Sequence, residues 1–457
     1  MAVVLQAQDA VDWAYRGEGA VNLVLAYIGS SPDFVGKVLR VPKVPNKGSE
    51  CENGHSPLTK LEHILWGEFE GIVSARNREI AEQLYVQKVM CPLLGPEHVD
   101  AGIRLIVSKE FLEAVENKVL LQRPSWRVDA AKVNSLCDSV LLIADHSIFP
   151  RVSGTLKEDF SVSVEIKPKC GFLPISEFIA EENEVKKRIT RFKMHQALKL
   201  RQGKIGMYLM QILQMQISQI SKYNPLDLFS GSKGSVQNAI KSLFLTPQNN
   251  FRVFLNGSLI FGGMDGSADS PSYMVDRAFQ DGIKRVIVAQ DGMHTKYFME
   301  LVAETIMKSG LLNQLLQVQK LDAFDIEGAI HAYYDVVSKP CMICHEKGRR
   351  KLSGRYSSIH AMTRDEKFKV VRDYLISATG KDLSVMISFR PRRNNDLASP
   401  HVVFLESTNQ AFDYKASFID LDMKPLKKMK HYYELDQQIV RAYVQMVKDK
   451  EAMDYEH

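Results

Sequence analysis

Residues 160–172 read FSVSVEIKPKCGF. The alternating run is a β-strand, and it ends on two lysines flanking a proline. Side chains two apart on a strand share a face, so Lys167 and Lys169 are expected to aim two ammonium groups the same way. Like charges side by side cost energy unless an anion lies between them. The fold must therefore contain a sheet with a strand end that is either open to water or built around an anion.

The chain has 457 residues, enough for two or three domains. A net charge of +5 and a pI of about 8.6 fall short of the strongly basic balance of a nucleic-acid-binding domain. The positive charge is local instead, in KPK at 167–169, KKRITRFK at 186–193, KGRRK at 347–351, RPRR at 390–393 and KPLKKMK at 424–430. Scattered clusters of this size suit one compact anionic ligand if the fold gathers some of them. Six cysteines do not make a disulfide framework. The start, MAVVLQAQDAVDW, lacks the form of a secretory signal. No run reaches the ~18 apolar residues of a membrane span. The nearest, MYLMQILQMQISQI at 207–220, is broken by glutamines and reads as a packing stripe. An intracellular, reduced protein is expected.

Along the chain, DWAYRGEGAVNLVLAYIG is strand–turn–strand, and FVGKVLRV at 34–41 is a further strand. Residues 42–60 read as a loop, and a helical pattern runs to about residue 89. GIRLIVSKEFLEAV is strand then helix, and SVLLIADHSIF is a strand ending at Asp145 and His146, a candidate hinge. ISEFIAEENEVKKRITRFKMHQALKL reads as one long basic helix supported by Glu182–Lys186 pairing. FRVFLNGSLIFGG is a hairpin turning at Asn256-Gly257, followed by a loop at 263–273. LVAETIMKSGLLNQLLQVQKL reads as one helix. A helix near 364–378, strands LSVMISF and YKASFID, and a C-terminal helix from about 431 complete an α+β or mixed α/β chain, read as two-lobed.

Three constellations carry chemistry. The turn RGEGAVN offers G-x-G between strands, with Lys37 and Arg40 on the next strand; such a turn is either a plain hairpin or a place where backbone amides approach phosphates. His331, Cys341, Cys344 and His360 have the types and spacing of a closed tetrahedral zinc site, with His345 a competing ligand. Asp382 and Asp420 stand where loop and strand meet. Phosphoryl transfer needs one carboxylate to take a hydroxyl proton and another to hold magnesium, although two turn aspartates fit the same spacing.

Together these segments resemble the inositol-pentakisphosphate 2-kinases of the plant type. The resemblance spans YRGEGAVNLVLAY to KPLKKMKHYY and rests on EIKPKCGF, RFKMHQ, TPQNNFRVFLNG, DIEGAIHAYYD, the C-x-x-C and SFIDLDMKPLKKM. It implies a kinase-like architecture, with a smaller N-lobe over residues 1–145 and a larger C-lobe over 146–457 that carries a structural zinc. It also implies ATP-dependent phosphorylation of the 2-hydroxyl of inositol 1,3,4,5,6-pentakisphosphate to the hexakisphosphate, with magnesium as cofactor. Five phosphates carry roughly −8 to −10 at neutral pH. By resemblance they would meet Arg127, Lys167, Lys169, His195, Lys199, Asn249, Asn250, Lys424, Lys428 and Tyr432.

The resemblance places Gly17, Glu18, Gly19, Asn22 and Arg40 over the ATP phosphates, and Asp145 and His146 at the adenine. Glu165 is expected at the ribose, and Arg252 with the asparagines between the two ligands. Asp382 would be the base and Asp420 the magnesium ligand, and the zinc ligands would be His331, Cys341, Cys344 and His360. The chain departs from the pattern in GEGAVN for GEGGAN, in Ala144 for an asparagine, in Lys428 for an arginine, in Pro45 for an arginine and in the Met- and Gln-rich 201–222. The partners expected are inositol pentakisphosphate and ATP, without nucleic acid or membrane, for a monomer of the cytoplasm or nucleus. The alternatives are a non-catalytic polyanion binder, which would gain nothing from the two acids, and a zinc-containing nucleic-acid binder, which would need aromatic–basic interleaving that is absent.

Overall fold

The computed structural model describes residues 4–19, 21–46, 58–149, 160–202, 221–262, 272–346, 354–393 and 399–455. The stripe at 207–220, the basic run at 347–351 and most of the loop at 263–273 lie outside them. The described chain is a mixed α/β structure with two sheets.

The first sheet contains β1 (Val4–Leu5), β2 (Trp13–Glu18), β3 (Asn22–Tyr27), β4 (Lys37–Pro45), β5 (Ile103–Val107), β6 (Ala131–Val133) and β7 (Ser139–Ala144). Its order is β1-β5-β7-β4-β3-β2, with β6 also on β4. The pairs are antiparallel except β1 with β5. Helix Lys109–Val119 starts where the Ser108 hydroxyl accepts from Phe111 N. It buries Phe111, Leu112, Val115 and Val119 against Leu23, Leu25, Leu39 and Val140. This core is separate from the larger one.

The second sheet contains β8 (Val162–Ile166), β9 (Phe251–Leu255), β10 (Ser258–Gly262), β11 (Ser384–Pro391), β12 (Val402–Leu405) and β13 (Gln410–Ile419), in the order β10-β9-β8-β11-β13-β12. β8 lies inside the sheet and is buried along its whole length. Its alternation of Val and Ser therefore does not separate core from water. Ser163 is buried too, and its hydroxyl donates to Ser147 O at 2.9 Å, which meets the cost of burying it. Asn256 and Gly257 have φ of 47° and 82°, the left-handed pair a tight hairpin turn demands.

Helices Lys233–Leu245, His294–Ser309, Asp325–Val336 and Arg364–Asp382 bury their apolar faces in the larger core. So do Leu65, Trp66, Ile72 and Tyr85, although their segment lies between first-sheet strands in sequence. The segment between β4 and β5 reaches the second sheet and its helices: Val99 bridges to Phe418 of β13, and the Tyr85 hydroxyl donates to Thr379 Oγ1, on helix Arg364–Asp382, at 3.2 Å.

Three local expectations are corrected. The basic stretch 175–200 is not one helix. A 3-10 turn at Glu181–Lys187 precedes a separate helix, Arg191–Arg201, capped by Thr190. The break follows from Lys186, which turns inward to Asp325, Glu327 and Asp436 rather than pairing along a helix with Glu182. Likewise, 301–321 is two helices, His294–Ser309 and Leu311–Gln319, split at Gly310 with φ 65°. Finally, β8 stops at Ile166, and Lys169 has φ 62°. Lys167 and Lys169 therefore do not share a strand face; they sit on a loop beyond the strand end.

Candidate functional site

Strand register builds the site. Val385 pairs with Ile166, Ser384 with Ile419, and Ile166 with Phe251. The residues just past these pairs therefore converge at one end of the second sheet: Lys167 after β8, Asn250 before β9, Asp382 before β11 and Asp420 after β13. Lys167 N donates to Asn250 O at 3.0 Å, and Lys167 Nζ lies 3.6 Å from Asp420 Oδ2. Lys424 Nζ donates to Asp382 Oδ2 at 2.8 Å. From the first sheet, Arg40 Nη2 reaches within 3.9 Å of Asp420 and 3.3 Å of Asp422.

The charges tune one another. Burial would raise the Asp382 pKa, but Lys424, with Lys169 and Lys167 behind it, holds the carboxyl below its usual range. Asp382 is thus ionised at neutral pH. Lys169 shows the opposite balance: burial, then Lys167, pull its ammonium down from 10.5 to about 8, and Lys199 adds to the effect. Burial and Asp382 push the Tyr432 hydroxyl up to about 12, so it remains a donor. Lys167, Lys169, Lys199, Lys424, Tyr432, Asp382 and Asp420 thus share one field. Such a surplus of cations around an ionised acid is suited to a polyanion carrying a hydroxyl.

The loop that carries the lysines is tied down residue by residue. The buried Tyr223 donates its hydroxyl to Pro168 O at 2.7 Å, and Gln319 Nε2 donates to Lys169 O at 2.8 Å. Asn250 is buried, and among the described residues its Oδ1 has no hydrogen-bond partner. Asn249 stands beside it in the turn before β9. His195 and Lys199 lie on helix Arg191–Arg201, Lys428 ends the 3-10 turn Leu426–Lys428, and Tyr432 lies in the helix that follows.

On the first sheet, Gly17 and Glu18 end β2, Gly19 N donates to Asn22 O at 2.9 Å, and nothing would touch a Cβ at Gly17 or Gly19. Gly19 and Val21, on either side of residue 20, are exposed. Glu18 itself points inward. It pairs with Lys43 and, at 3.0 Å, with Arg123, with all three side chains buried. Arg127 lies on helix Ser125–Ala130, its guanidinium 4.0 Å over the Trp126 ring. Pro45 ends β4 opposite Ala131.

Asp145 and His146 follow β7, after Ala144, where the chain leaves the first sheet. Asp145 accepts from Arg16 at 2.8 Å and from Ser147 N at 2.9 Å. Burial, reinforced by Lys415, pushes the His146 pKa down to about 4, so its imidazole is neutral at pH 7. Glu165 is buried, accepts from the Ser384 hydroxyl at 2.8 Å, and lies 3.6 Å from Arg252. Residues of clear importance that the sequence reading did not single out include Arg16, Lys43, Arg123 and Gln319. Little in the local sequence distinguishes them, because the partners that tie them to the site are remote: Asp145 for Arg16, Glu18 for Lys43 and Arg123, and Lys169 for Gln319.

His331, Cys341, Cys344 and His360 form one group whose candidate ligand atoms lie within 4.8 Å of one another. His331 Nδ1 is 3.2 Å from Cys341 Sγ and 3.4 Å from Cys344 Sγ, and His360 Nε2 is 3.4 Å from Cys344 Sγ. Ligands on a tetrahedral zinc, at bond lengths of about 2.0–2.3 Å, stand roughly 3.3–3.8 Å apart, so donor types and spacings both fit. His360 Nδ1 donates to Asp335 Oδ2 at 3.0 Å, the outer contact that orients a ligating imidazole. His345 is not part of the group.

Comparison with known proteins gives these contacts a context. Residues 15–438 match the family model described as inositol-pentakisphosphate 2-kinase. The chain is similar to an inositol-pentakisphosphate 2-kinase of Arabidopsis thaliana, 51% identical over 97% of this chain and 95% of that protein. One of Oryza sativa subsp. indica is 49% identical over 97% and 96%. One of Danio rerio is 28% identical over 96% and 94%. With a match that runs through both sheets and the converging strand ends, the chain belongs to the inositol-pentakisphosphate 2-kinase family.

Proposed function

We propose that this chain transfers the γ-phosphoryl group of ATP to the 2-hydroxyl of inositol 1,3,4,5,6-pentakisphosphate, giving the hexakisphosphate and ADP. The observation that carries the reading is the register of β8, β11 and β13, which brings Asp382 and Asp420 to the lysine loop. Asp382 takes the hydroxyl proton as the oxygen bonds to phosphorus, and the bond from phosphorus to the bridging oxygen of ADP breaks. Lys424, which donates to Asp382 at 2.8 Å, turns to a substrate phosphate and frees the carboxylate. Lys167, Lys169, Lys199, Lys428, Arg127, His195, Asn249, Asn250 and Tyr432 hold the other phosphates.

Arg40 and the backbone of the Gly17–Asn22 turn face the nucleotide phosphates, and Asp145 and His146 flank its base. Glu18 supports the turn through Lys43 and Arg123, and Glu165 acts from beneath through Arg252. A magnesium ion on Asp420 would supply positive charge against the transferring phosphates. His331, Cys341, Cys344 and His360 would hold a zinc ion in a closed site, which gives it a structural role. The two sheets are read as two lobes, residues 1–145 and 146–457, of a monomer acting in the cytoplasm or nucleus.

The test is transfer from labelled ATP, with magnesium, to the pentakisphosphate by the wild type and Asp382→Asn. Hexakisphosphate from the first and almost none from the second is the expected result. No transfer by the wild type, with tight pentakisphosphate binding retained, would make the protein a polyanion binder.

A further inference from the structure

We infer that Gln319 is a positioning residue that sets the spacing between Lys169 and Asp382, an inference that rests on the roles proposed above for those two residues. Beyond Ile166, β8 no longer pairs with β11, so the strand ladder does not hold the lysine loop in register with Asp382. The Gln319 side chain does so. It is fully buried at the end of helix Leu311–Gln319. Its Nε2 donates to Lys169 O at 2.8 Å and to Gly380 O at 3.0 Å, and its Oε1 accepts from Gly171 N at 2.8 Å. Both amide hydrogens and the amide oxygen are used, and the neighbours leave only one orientation of the amide. One side of it holds the loop at Lys169 and Gly171. The other holds helix Arg364–Asp382 two residues before the acid.

Two further contacts place the device in the same turn. Asp322, three residues on, accepts from Lys381 at 2.6 Å, next to Asp382. Lys381 Nζ in turn lies 5.2 Å over the Phe172 ring, on the far side of the loop. Lys169 also needs such support, because its left-handed φ of 62° is unfavourable for a residue with a side chain. The hydrogen bond to its carbonyl comes from Gln319, 150 residues away. The close packing continues at Gly380, where a Cβ would stand 3.0 Å from Val318 Cγ1.

A purely structural role would lower stability and leave the kinetic balance alone. A positioning role changes kcat and the inositol phosphate KM but not the ATP KM. Full-length Gln319→Met keeps the volume and removes the three hydrogen bonds. Assayed well below its melting temperature, it is expected to lose kcat by about tenfold to a hundredfold, as for a misplacement near 1 Å. Its KM for the pentakisphosphate should rise severalfold, with the ATP KM within about twofold. Ser377→Ala, which removes only the 2.5 Å bond to the Gln319 backbone carbonyl, should lower the melting temperature and keep wild-type kinetics.

Wild-type kinetics in Gln319→Met would overturn the inference, as would a loss of kcat with both KM values unchanged. Should that variant not fold, Asp322→Asn carries the test with the same expected split, and wild-type kinetics there would overturn it equally. If Asp382→Asn stays active, the assignment of the base has failed. If Asp382→Asn is dead and Gln319→Met is wild-type, this inference alone has failed.

Discussion

Replacing Lys169 with Met should stabilise the ligand-free protein while crippling the binding of its substrate. The Lys169 ammonium is held near Lys167 and Lys199 in a half-buried site, and its pKa falls from 10.5 to about 8. At about 1.4 kcal/mol per pH unit, the charged form costs the empty site on the order of 3 kcal/mol. Because the folded-state pKa is depressed, this cost is fully present below pH 8. It fades as pH rises toward the unfolded value of 10.5, leaving about 1 kcal/mol at pH 9.5. Methionine has similar length, no charge and the same backbone strain at φ 62°.

Urea denaturation of both ligand-free proteins is therefore expected to show Lys169→Met more stable by about 2–3 kcal/mol at pH 7, with the gap narrowing by pH 9.5. Calorimetric titration with the pentakisphosphate should show the reverse order, with about a tenfold to hundredfold loss in affinity, the worth of one charge-assisted hydrogen bond. Wild-type affinity should also fall as pH rises through 8, and that dependence should be missing from the variant. A variant less stable than wild type at pH 7, or a stability gap that ignores pH, would refute the view that the lysine loop is a strained, ligand-demanding site.

Chelation at neutral pH should release about one zinc ion per chain and lower the melting temperature; in Cys341→Ser, metal analysis should find the zinc depleted, and full zinc occupancy there would remove Cys341 from the ligand set. Lys186→Met leaves Asp325, Glu327 and Asp436 buried without their shared cation, so urea denaturation should register a loss of about 3–5 kcal/mol, partly recovered by adding Asp325→Asn.

Much of this protein is written locally. The alternation at 160–166, the Asn256-Gly257 turn and the apolar runs at 103–107, 139–144 and 384–391 each specify an element within a few residues, since dihedral preference and period act at that range. The grouping of His331, Cys341, Cys344 and His360 was equally legible, because C-x-x-C is a local geometry and two histidines were at hand. The motifs of the family likewise named Asp382, Asp420 and the lysines.

What they could not convey is the partner of a buried charge. Glu18 meets Arg123 across 105 residues, Lys186 meets Asp436 across 250, and Gln319 meets Lys169 across 150. These long-range pairings turned Glu18 inward, broke the helix expected over 175–200 and lifted Lys169 off the strand. Burial makes an unpaired charge or amide too costly to leave, so each of these groups takes the partner that packing delivers. Composition and period determined the elements and the chemistry they carry. Only the packing of two sheets and their helices decided which charges gather around the lysine loop and which are paired away inside the protein.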